Sequence, residues 1–247
     1  MSSQSSRPPE KGPKLVSVLT GIYVSSLILA NVTSQKFFAL GPLVLPGGVL
    51  VFPISFIFGD ILTEVYGYAV SRKVIWIGLF CQAWAALTYL VVGILPSASF
   101  YQDQAAYDKI LGFVPRIVAG SILACFCAEF CNTLLLSKMK YWDKGARGLK
   151  QAWRFIVSTT VGQAVDTLVF LTVAFGGVLS PAAALRTYLS LYVLKVAYEV
   201  VSSPVSTRFA NWVKKLEGID HIDYPEHTRY SPFAMFAAND KPKKKRK

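Results

Sequence analysis

Two carboxylates lie four residues apart inside an apolar part of the chain. The segment VFPISFIFGDILTEVYGYAVSRK runs from Val51 to Lys73 and contains Asp60 and Glu64. If this segment crosses a membrane, each acid costs about 2.5–3.5 kcal/mol on insertion. Residues i and i+4 lie on the same side of a helix, so both carboxyl groups face one direction. Such a repeated cost indicates that the two acids have a function.

Two other apolar segments carry an acid next to an amide. AEFCNTLLLSKMK contains Glu129 and Asn132, and RFIVSTTVGQAVDTLVF contains Gln163 and Asp166. A helix rises about 1.5 Å per residue, which places Asp60, Glu129 and Asp166 near one depth if the segments span a bilayer. We therefore expect one shared polar cavity. The candidate substrate-binding residues are Asp60, Glu64, Glu129, Asn132, Gln163 and Asp166.

A structural role competes with the functional one at several of these positions. Glu64 lies towards one membrane face, where Arg72 is an available partner. Asn132 and Gln163 can simply bond between helices, as amides often do in bundles. Function is favoured for Asp60, because no cation shares its face of the helix.

A functional role is also favoured for Asp166, because its own helix face carries no cation. Lys195 and Glu199 are different, because they are spaced i and i+4 within one apolar segment. Opposite charges at this spacing can neutralise each other. The sequence therefore predicts a structural Lys195–Glu199 pair.

The composition indicates which elements must position these residues. The 247 residues are 53% hydrophobic and only 16% charged, against about 25% charged in ordinary soluble proteins. The mean hydropathy is +0.42. A net charge of +12 would suggest nucleic acid as the partner of a soluble protein, but here the basic residues separate long apolar runs. This pattern is typical of a membrane protein with charged loops, and no nucleic-acid partner is expected.

Six apolar runs are long enough to span a bilayer, which needs about 20 residues each. Most of the 26 Lys and Arg residues flank these runs on one side. The opposite side has only Lys36, Lys109, Arg116 and Arg186. The positive-inside rule then places both termini in the cytoplasm. The predicted spans are 15–33, 48–68, 74–95, 117–137, 155–179 and 184–205.

The expected fold is an all-α membrane protein with six transmembrane helices and both termini cytoplasmic. Residues 1–14 form a disordered cytoplasmic N-terminus, 15–216 the six-helix membrane domain and 217–247 a cytoplasmic basic tail. The tail ends in KPKKKRK, which favours contact with anionic lipid. Four cysteines lie within apolar segments at a spacing that matches no common zinc site, and nothing calls for a metal or a cofactor.

Four strings carry a resemblance to a known family. ANVTSQK from Ala30, VFPISFIFGDILTEVYGYAVSRKVIW from Val51, AEFCNTLLLSKMK from Ala128 and RFIVSTTVGQAVDTLVF from Arg154 resemble the queuosine precursor transporter family. The likeness covers all six predicted spans, and the basic tail departs from it. The resemblance implies a multi-pass bacterial inner-membrane importer of 7-deazaguanine bases, used to salvage the tRNA nucleoside queuosine.

The family is assigned to the vitamin uptake transporter group, whose fold is similar to the membrane-embedded binding components of energy-coupling-factor transporters. That fold is a six-helix bundle with a ligand cavity. A homodimer or a separate energising partner is compatible with such a protein.

The acids suit this substrate class on chemical grounds. A 7-deazaguanine presents a ring N–H and an exocyclic amine side by side, and a carboxylate such as Asp60 accepts both. Gln163 or Asn132 can donate to the ring carbonyl. An aminomethyl side chain would require a second carboxylate. The ring can stack on Phe56, Phe58 or Phe170.

Other functions fit the same residues less fully. A proton- or cation-coupled transporter of another solute would also carry acids at mid-depth. A membrane protein that binds a ligand without transporting it is a further alternative. An intramembrane aspartyl protease would use Asp60 and Asp166 as a dyad, but the chain lacks the Y-D and G-x-G-D patterns. No enzymatic activity is therefore expected.

Overall fold

The computed structural model describes residues 13–34, 36–40, 43–112, 115–175 and 180–236. Over these residues the chain is predominantly helical, which confirms the helical fold class. An antiparallel hairpin of β1 (Phe37–Leu40) and β2 (Leu43–Pro46) is a small addition to it. The helices are α1 (Val16–Thr33), α2 (Phe52–Tyr66), α3 (Tyr68–Gly93), α4 (Gln104–Tyr107), α5 (Pro115–Trp142), α6 (Leu149–Phe175) and α7 (Pro181–Glu217). Short 3-10 segments cover Gly47–Leu50 and Pro232–Phe236, and a π turn covers Asp108–Gly112.

Five of the six predicted spans correspond to helices that are long and apolar enough to cross a membrane. Their bounds differ from the prediction by a few residues at either end; the second span ends earlier and the third begins earlier than predicted, because the turn at Gly67 separates them. The chain is therefore a multi-pass membrane protein. The five segments are Val16–Thr33, Gly47–Tyr66, Tyr68–Gly93, Ala119–Trp142 and Leu149–Val173.

The sixth predicted span, 184–205, lies within α7. This helix is 37 residues long, or about 55 Å at 1.5 Å per residue, which exceeds the bilayer core of about 30 Å. It is not among the five apolar helices, and its polar residues include Lys195 and Glu199. Six spans thus remain a prediction.

A single residue, Gly67, separates α2 from α3. Its φ of +84° lies in the region that glycine adopts without steric cost. A Cβ added there would lie 2.3 Å from Cδ2 of His221. The turn therefore requires glycine for its conformation and for the close approach of the C-terminal segment.

The C-terminal segment 218–236, here called the strap, covers this turn. Asp223 is buried, and its Oδ2 accepts the backbone N–H of Tyr68 at 2.8 Å and the hydroxyl of Ser137 at 2.7 Å. The first turn of α3 has free backbone N–H groups, for which a carboxylate is a favourable partner. A residue far along the chain thus caps the start of α3 and ties it to α5.

Two further side chains of α3 fasten the strap through its backbone carbonyls. Arg72 is 2% exposed and donates from Nη1 to the carbonyl of Arg229 at 2.7 Å. Trp76 donates from Nε1 to the carbonyl of Pro232 at 2.9 Å. Residues 218–236 therefore pack on the bundle. Residues 1–12 and the final basic run lie outside the described residues.

His221 gives the strap a pH dependence. Its hydrogen bond to Asp223 raises the pKa of the imidazole above the ordinary 6.5, more than burial lowers it. A raised folded-state pKa means that the protonated form contributes stability below 6.5, and this contribution is lost as the pH rises through the raised value. Burial raises the pKa of Asp223, but hydrogen bonds from His221, Ser137 and Tyr68 outweigh it and hold the pKa below 3.8.

We expect the strap to bind less firmly at about pH 8.5 than at about pH 5.5, because the His221 imidazole loses its proton in that interval while the Asp223 carboxylate stays ionised. The exposed side chain of His221 keeps the effect small. Thermal unfolding of the wild type and of His221→Gln, measured across this range, checks it. The two proteins should differ at acid pH and converge at alkaline pH. Parallel pH profiles would contradict the expectation.

Candidate functional site

Asp60 lies fully buried in α2 and accepts hydrogen bonds at both carboxyl oxygens. Asn132 of α5 donates from Nδ2 to Oδ1 at 2.6 Å, and Thr159 of α6 donates from Oγ1 to Oδ2 at 3.0 Å. Three helices thus orient one carboxyl group. The predicted proximity of Asp60 and Asn132 is confirmed. Thr159 was missed, although it precedes Gln163 by one helical turn on the same face of α6.

Glu129 approaches the same region from α5. It is completely buried, and neither carboxyl oxygen makes a hydrogen bond of standard geometry with the described residues. The Glu129 side chain can approach α2 because Gly59 has no Cβ. A Cβ added at Gly59 would lie 3.2 Å from Oε2 of Glu129 and 3.6 Å from Cε2 of Tyr23. Tyr23 of α1, also fully buried, was not identified in the sequence. Glu129 and Asp60 lie within electrostatic range of each other.

Further buried oxygens near these acids have no hydrogen-bond partner among the described residues. They belong to Gln163 (Oε1), Asn132 (Oδ1) and Glu199 (Oε1). Together with Glu129, which faces the hydroxyl of Tyr23, they can accept hydrogen bonds. Buried polar groups are normally satisfied, so a concentration of open acceptors indicates a site for a donor-rich ligand. We call Asp60, Glu129, Asn132, Gln163 and Glu199 the acid site.

Phe56 supplies an aromatic ring beside the acid site. The ring is 1% exposed, and a Cβ added at Gly162 would lie 3.4 Å from it and 3.0 Å from Cβ of Asn132. Of the three aromatic candidates, Phe56 is therefore near Asn132. Phe58 instead packs edge-on against Phe209, with ring centroids 5.9 Å apart.

Asp166 has a cation of its own, contrary to the sequence expectation. Lys195 of α7 lies 2.6 Å from its Oδ2, with the two side chains 14% and 8% exposed. The Lys195 ammonium also lies 4.7 Å from the ring centroid of Phe52. The predicted Lys195–Glu199 pair is wrong, because the rotation of α7 points the lysine at α6 and not along its own helix.

Removing one member of the Lys195–Asp166 pair should destabilise the protein more than removing both. Lys195→Met leaves a largely buried carboxylate, and we expect a loss of about 2 kcal/mol, somewhat below that of a fully buried pair. Adding Asp166→Asn should recover most of the loss. Thermal unfolding of the two single variants and the double variant measures this. Additive losses would contradict the pairing, and Glu199→Gln serves as the comparison for the pair that the sequence suggested.

Glu64 lies in a separate group of charges towards the strap. Its Oε1 lies 2.7 Å from Arg154, 2.6 Å from Lys214 and 3.9 Å from Lys140. These cations come from α6, α7 and α5, and all four side chains are at most 2% exposed. The suggested partner, Arg72, binds the strap instead. Glu64 thus joins four helices at one end of the bundle.

Two further acids complete this group, which we call the Glu64 cluster. Asp220 of the strap lies 2.7 Å from Lys140 and 2.9 Å from Lys214. Burial would raise the pKa of Asp220, but its bonds to the two lysines outweigh burial and hold the pKa at about 2. Asp143 pairs with Arg154. The strap therefore contributes an acid to a network that otherwise holds an excess of buried cations.

A cavity of about 610 Å³ lies between the strap and the α2–α3 turn, away from the acid site. Its lining includes Arg72, His221, Asp223 and Arg229. These residues already hold the strap in place. We therefore assign the candidate functional site to the buried acceptors within the bundle.

Comparison with known proteins separates the helical bundle, which contains the acid site, from the strap. The family model described as "Putative vitamin uptake transporter" matches residues 46–209, a range that contains the whole acid site and ends before the strap. A "Probable queuosine precursor transporter" of Bacillus subtilis (strain 168) is 32% identical over 180 residues, which cover 72% of this chain and 76% of that protein. A protein of the same description from Haemophilus influenzae is 28% identical over 129 residues, covering 52% and 51%. No solved structure matches the chain significantly.

Proposed function

The chain belongs to the vitamin uptake transporter family, and we propose that it imports queuosine precursors, 7-deazaguanine bases, across the bacterial inner membrane. The observation that carries the proposal is Asp60, a buried carboxylate held by Asn132 and Thr159 among open acceptor oxygens. The names of the two relatives support the substrate class. The protein acts by transport, without a catalytic residue.

The proposed binding mode uses the donor edge of the base. The ring N–H and exocyclic amine of a 7-deazaguanine donate to Asp60, an arrangement in which a carboxylate accepts two parallel hydrogen bonds. Gln163 and Asn132 contact the remaining polar atoms, and Phe56 lies beside the ring. Glu129 and Asp166 complete the site, with Asp166 acting through Lys195.

Of the proposed site residues, Glu64 is the one that we do not expect to contact the base directly. Three cations already surround its carboxyl group. We propose that it closes the bundle on the cytoplasmic side of the bound base. This position agrees with its greater calculated depth along α2, about one helical turn beyond Asp60.

Salvage of queuosine tests the function directly. The chain is expressed in a bacterium that neither makes queuosine nor imports its precursors, 7-deazaguanine bases are supplied, and tRNA is assayed for queuosine. We expect modified tRNA only in cells that carry the chain, with the Bacillus subtilis relative as a parallel sample. Excess guanine and adenine should compete weakly. Unmodified tRNA despite membrane-inserted protein would overturn the proposal.

We also propose six spans with both termini cytoplasmic. The charge imbalance supports this orientation, and the length of α7 allows it to provide the sixth span. Residues 1–14 and 217–247 would then lie in the cytoplasm on either side of the membrane domain, 15–216.

Cysteine labelling measures this topology. In a variant without native cysteines, Ser97→Cys should react with an impermeant reagent in intact cells, because the loop after α3 lies outside. Lys150→Cys, at the start of α6, should react only after permeabilisation. Both side chains are exposed in the structure. The reverse pattern would contradict the orientation.

A further inference from the structure

Glu199 is a buried acid without a counter-ion. It lies in α7, is 2% exposed, and its Oε1 has no hydrogen-bond partner among the described residues. The nearby Lys195 is committed to Asp166 and to the Phe52 ring. No other Lys, Arg or His of the described residues forms an ion pair with Glu199. The described residues therefore provide no opposite charge for an ionised Glu199.

The electrostatic neighbour of Glu199 is another acid, Asp60. Glu129 in turn lies within range of Asp60 and Asp166. Within the described part of the chain, only Asp166 of these four carboxyl groups is paired with a cation. Three buried acids in one part of the bundle repel one another when ionised, and burial removes the water that would hydrate them. A bound cation would relieve both costs at once.

The arrangement does not suit an inorganic metal ion. Among the residues that the structure describes, no three His, Cys, Asp or Glu side chains are close enough together to hold one. A cationic organic group differs, because it can meet one carboxylate while the rest of the molecule contacts the others. An ammonium donates three hydrogen bonds and suits a single open carboxylate.

We infer that Glu199 is the counter-ion for a cationic amine on the transported base. The chain then prefers 7-aminomethyl-7-deazaguanine to 7-cyano-7-deazaguanine. This inference rests on the proposed function. Asp60 binds the donor edge that both bases share, and Glu199 reads the side chain in which they differ. The cyano group is neutral and accepts hydrogen bonds, so it meets the Glu199 carboxylate unfavourably.

Uptake of the two bases by the full-length chain tests this. Each labelled base is supplied to vesicles containing the wild type, Glu199→Gln, Glu199→Asp or Glu226→Gln, in sodium or choline buffer. We expect the wild type to take up the aminomethyl base at least about tenfold better, since a hydrogen bond to a charged group changes affinity by a factor of roughly ten to two hundred. Glu199→Gln should remove most of that preference, and Glu199→Asp should retain part of it.

Glu226 is an exposed acid of the strap and provides a matched loss of one negative charge. Glu226→Gln should keep the wild-type ratio. The preference should be the same in choline, since the cation that matters is the amine and not sodium.

Equal uptake of both bases by the wild type would overturn the inference and leave the proposed function intact. The inference would also fail if Glu199→Gln slowed both bases by one common factor, as a structural or proton-carrying role would require. Uptake of neither base would refute the proposed function and this inference together. A folded Glu199→Asp variant with the ratio of Glu199→Gln would likewise argue against a charge effect.

Discussion

Asp60→Asn abolishes uptake of the 7-deazaguanine base while leaving a folded protein in the membrane: this is the expected result with the largest effect on function. Asparagine keeps the size of the side chain but loses its charge and one acceptor oxygen. A hydrogen bond to a charged group contributes about 1.5–3 kcal/mol, or a factor of roughly ten to two hundred in binding. Two such bonds to the donor edge of the base would reduce uptake to background.

The fold should tolerate the same substitution. Asn132 can still donate to the remaining oxygen, and the hydroxyl of Thr159 can rotate to accept from the new amide. The change also removes a buried acid that costs about 2.5–3.5 kcal/mol on insertion. Stability should therefore hold or rise as transport is lost.

Asp166→Asn provides the contrast, because Asp166 balances Lys195. Its loss should reduce stability and uptake together. The measurement is uptake per amount of membrane protein, with thermal unfolding of the same purified samples. Normal uptake by Asp60→Asn would exclude Asp60 as the residue that binds the base and would make Glu129 the next candidate.

The largest expected effect on stability belongs to Glu64→Gln. Glutamine fills the same volume but leaves Arg154, Lys214 and Lys140 without their shared carboxylate. Breaking a buried ion pair by removing one partner costs about 3–5 kcal/mol. In this cluster three buried cations would then share only Asp143 and Asp220. We expect little folded protein in the membrane and a markedly lower unfolding temperature.

A second substitution distinguishes this role from substrate binding. Lys214→Met in the Glu64→Gln background removes one of the stranded cations and should recover part of the stability. The exposed Glu226→Gln should change stability by no more than about 0.5 kcal/mol. If Glu64→Gln were as stable as the wild type but failed in uptake, Glu64 would belong to the acid site and not to a structural network.

The features that depend on hydropathy and on charge placement could be predicted from the sequence. Five spans and the approach of Asp60 to Asn132 follow from helical rise and from the cost of polar groups in lipid. The choice between Asp166 and Glu199 as partner of Lys195 did not follow. Spacing along one helix identifies neighbours on that helix, whereas the partner on another helix depends on how the two helices are rotated.

The strap was beyond prediction for a different reason. It has no apolar periodicity: single polar contacts and scattered apolar residues, such as Tyr230 and Phe233, hold it on the bundle. Its sequence therefore resembles that of a solvated tail. Thr159 and Tyr23 were missed because an isolated hydroxyl in an apolar span carries no charge that would single it out.

The cap of α3 by Asp223 has a consequence for biosynthesis. The two partners, Tyr68 and Asp223, are 155 residues apart, and a ribosome adds about 5–20 residues per second. The start of α3 must therefore wait, with its first N–H uncapped, until the rest of the bundle has been inserted. Attachment of the strap to this end of the bundle is then the last step of maturation. A chain cut after Glu217 would still insert its helices, but its α2–α3 turn would remain uncovered and accessible to proteases. An affinity tag added beyond Phe236 would leave the attachment of the strap intact.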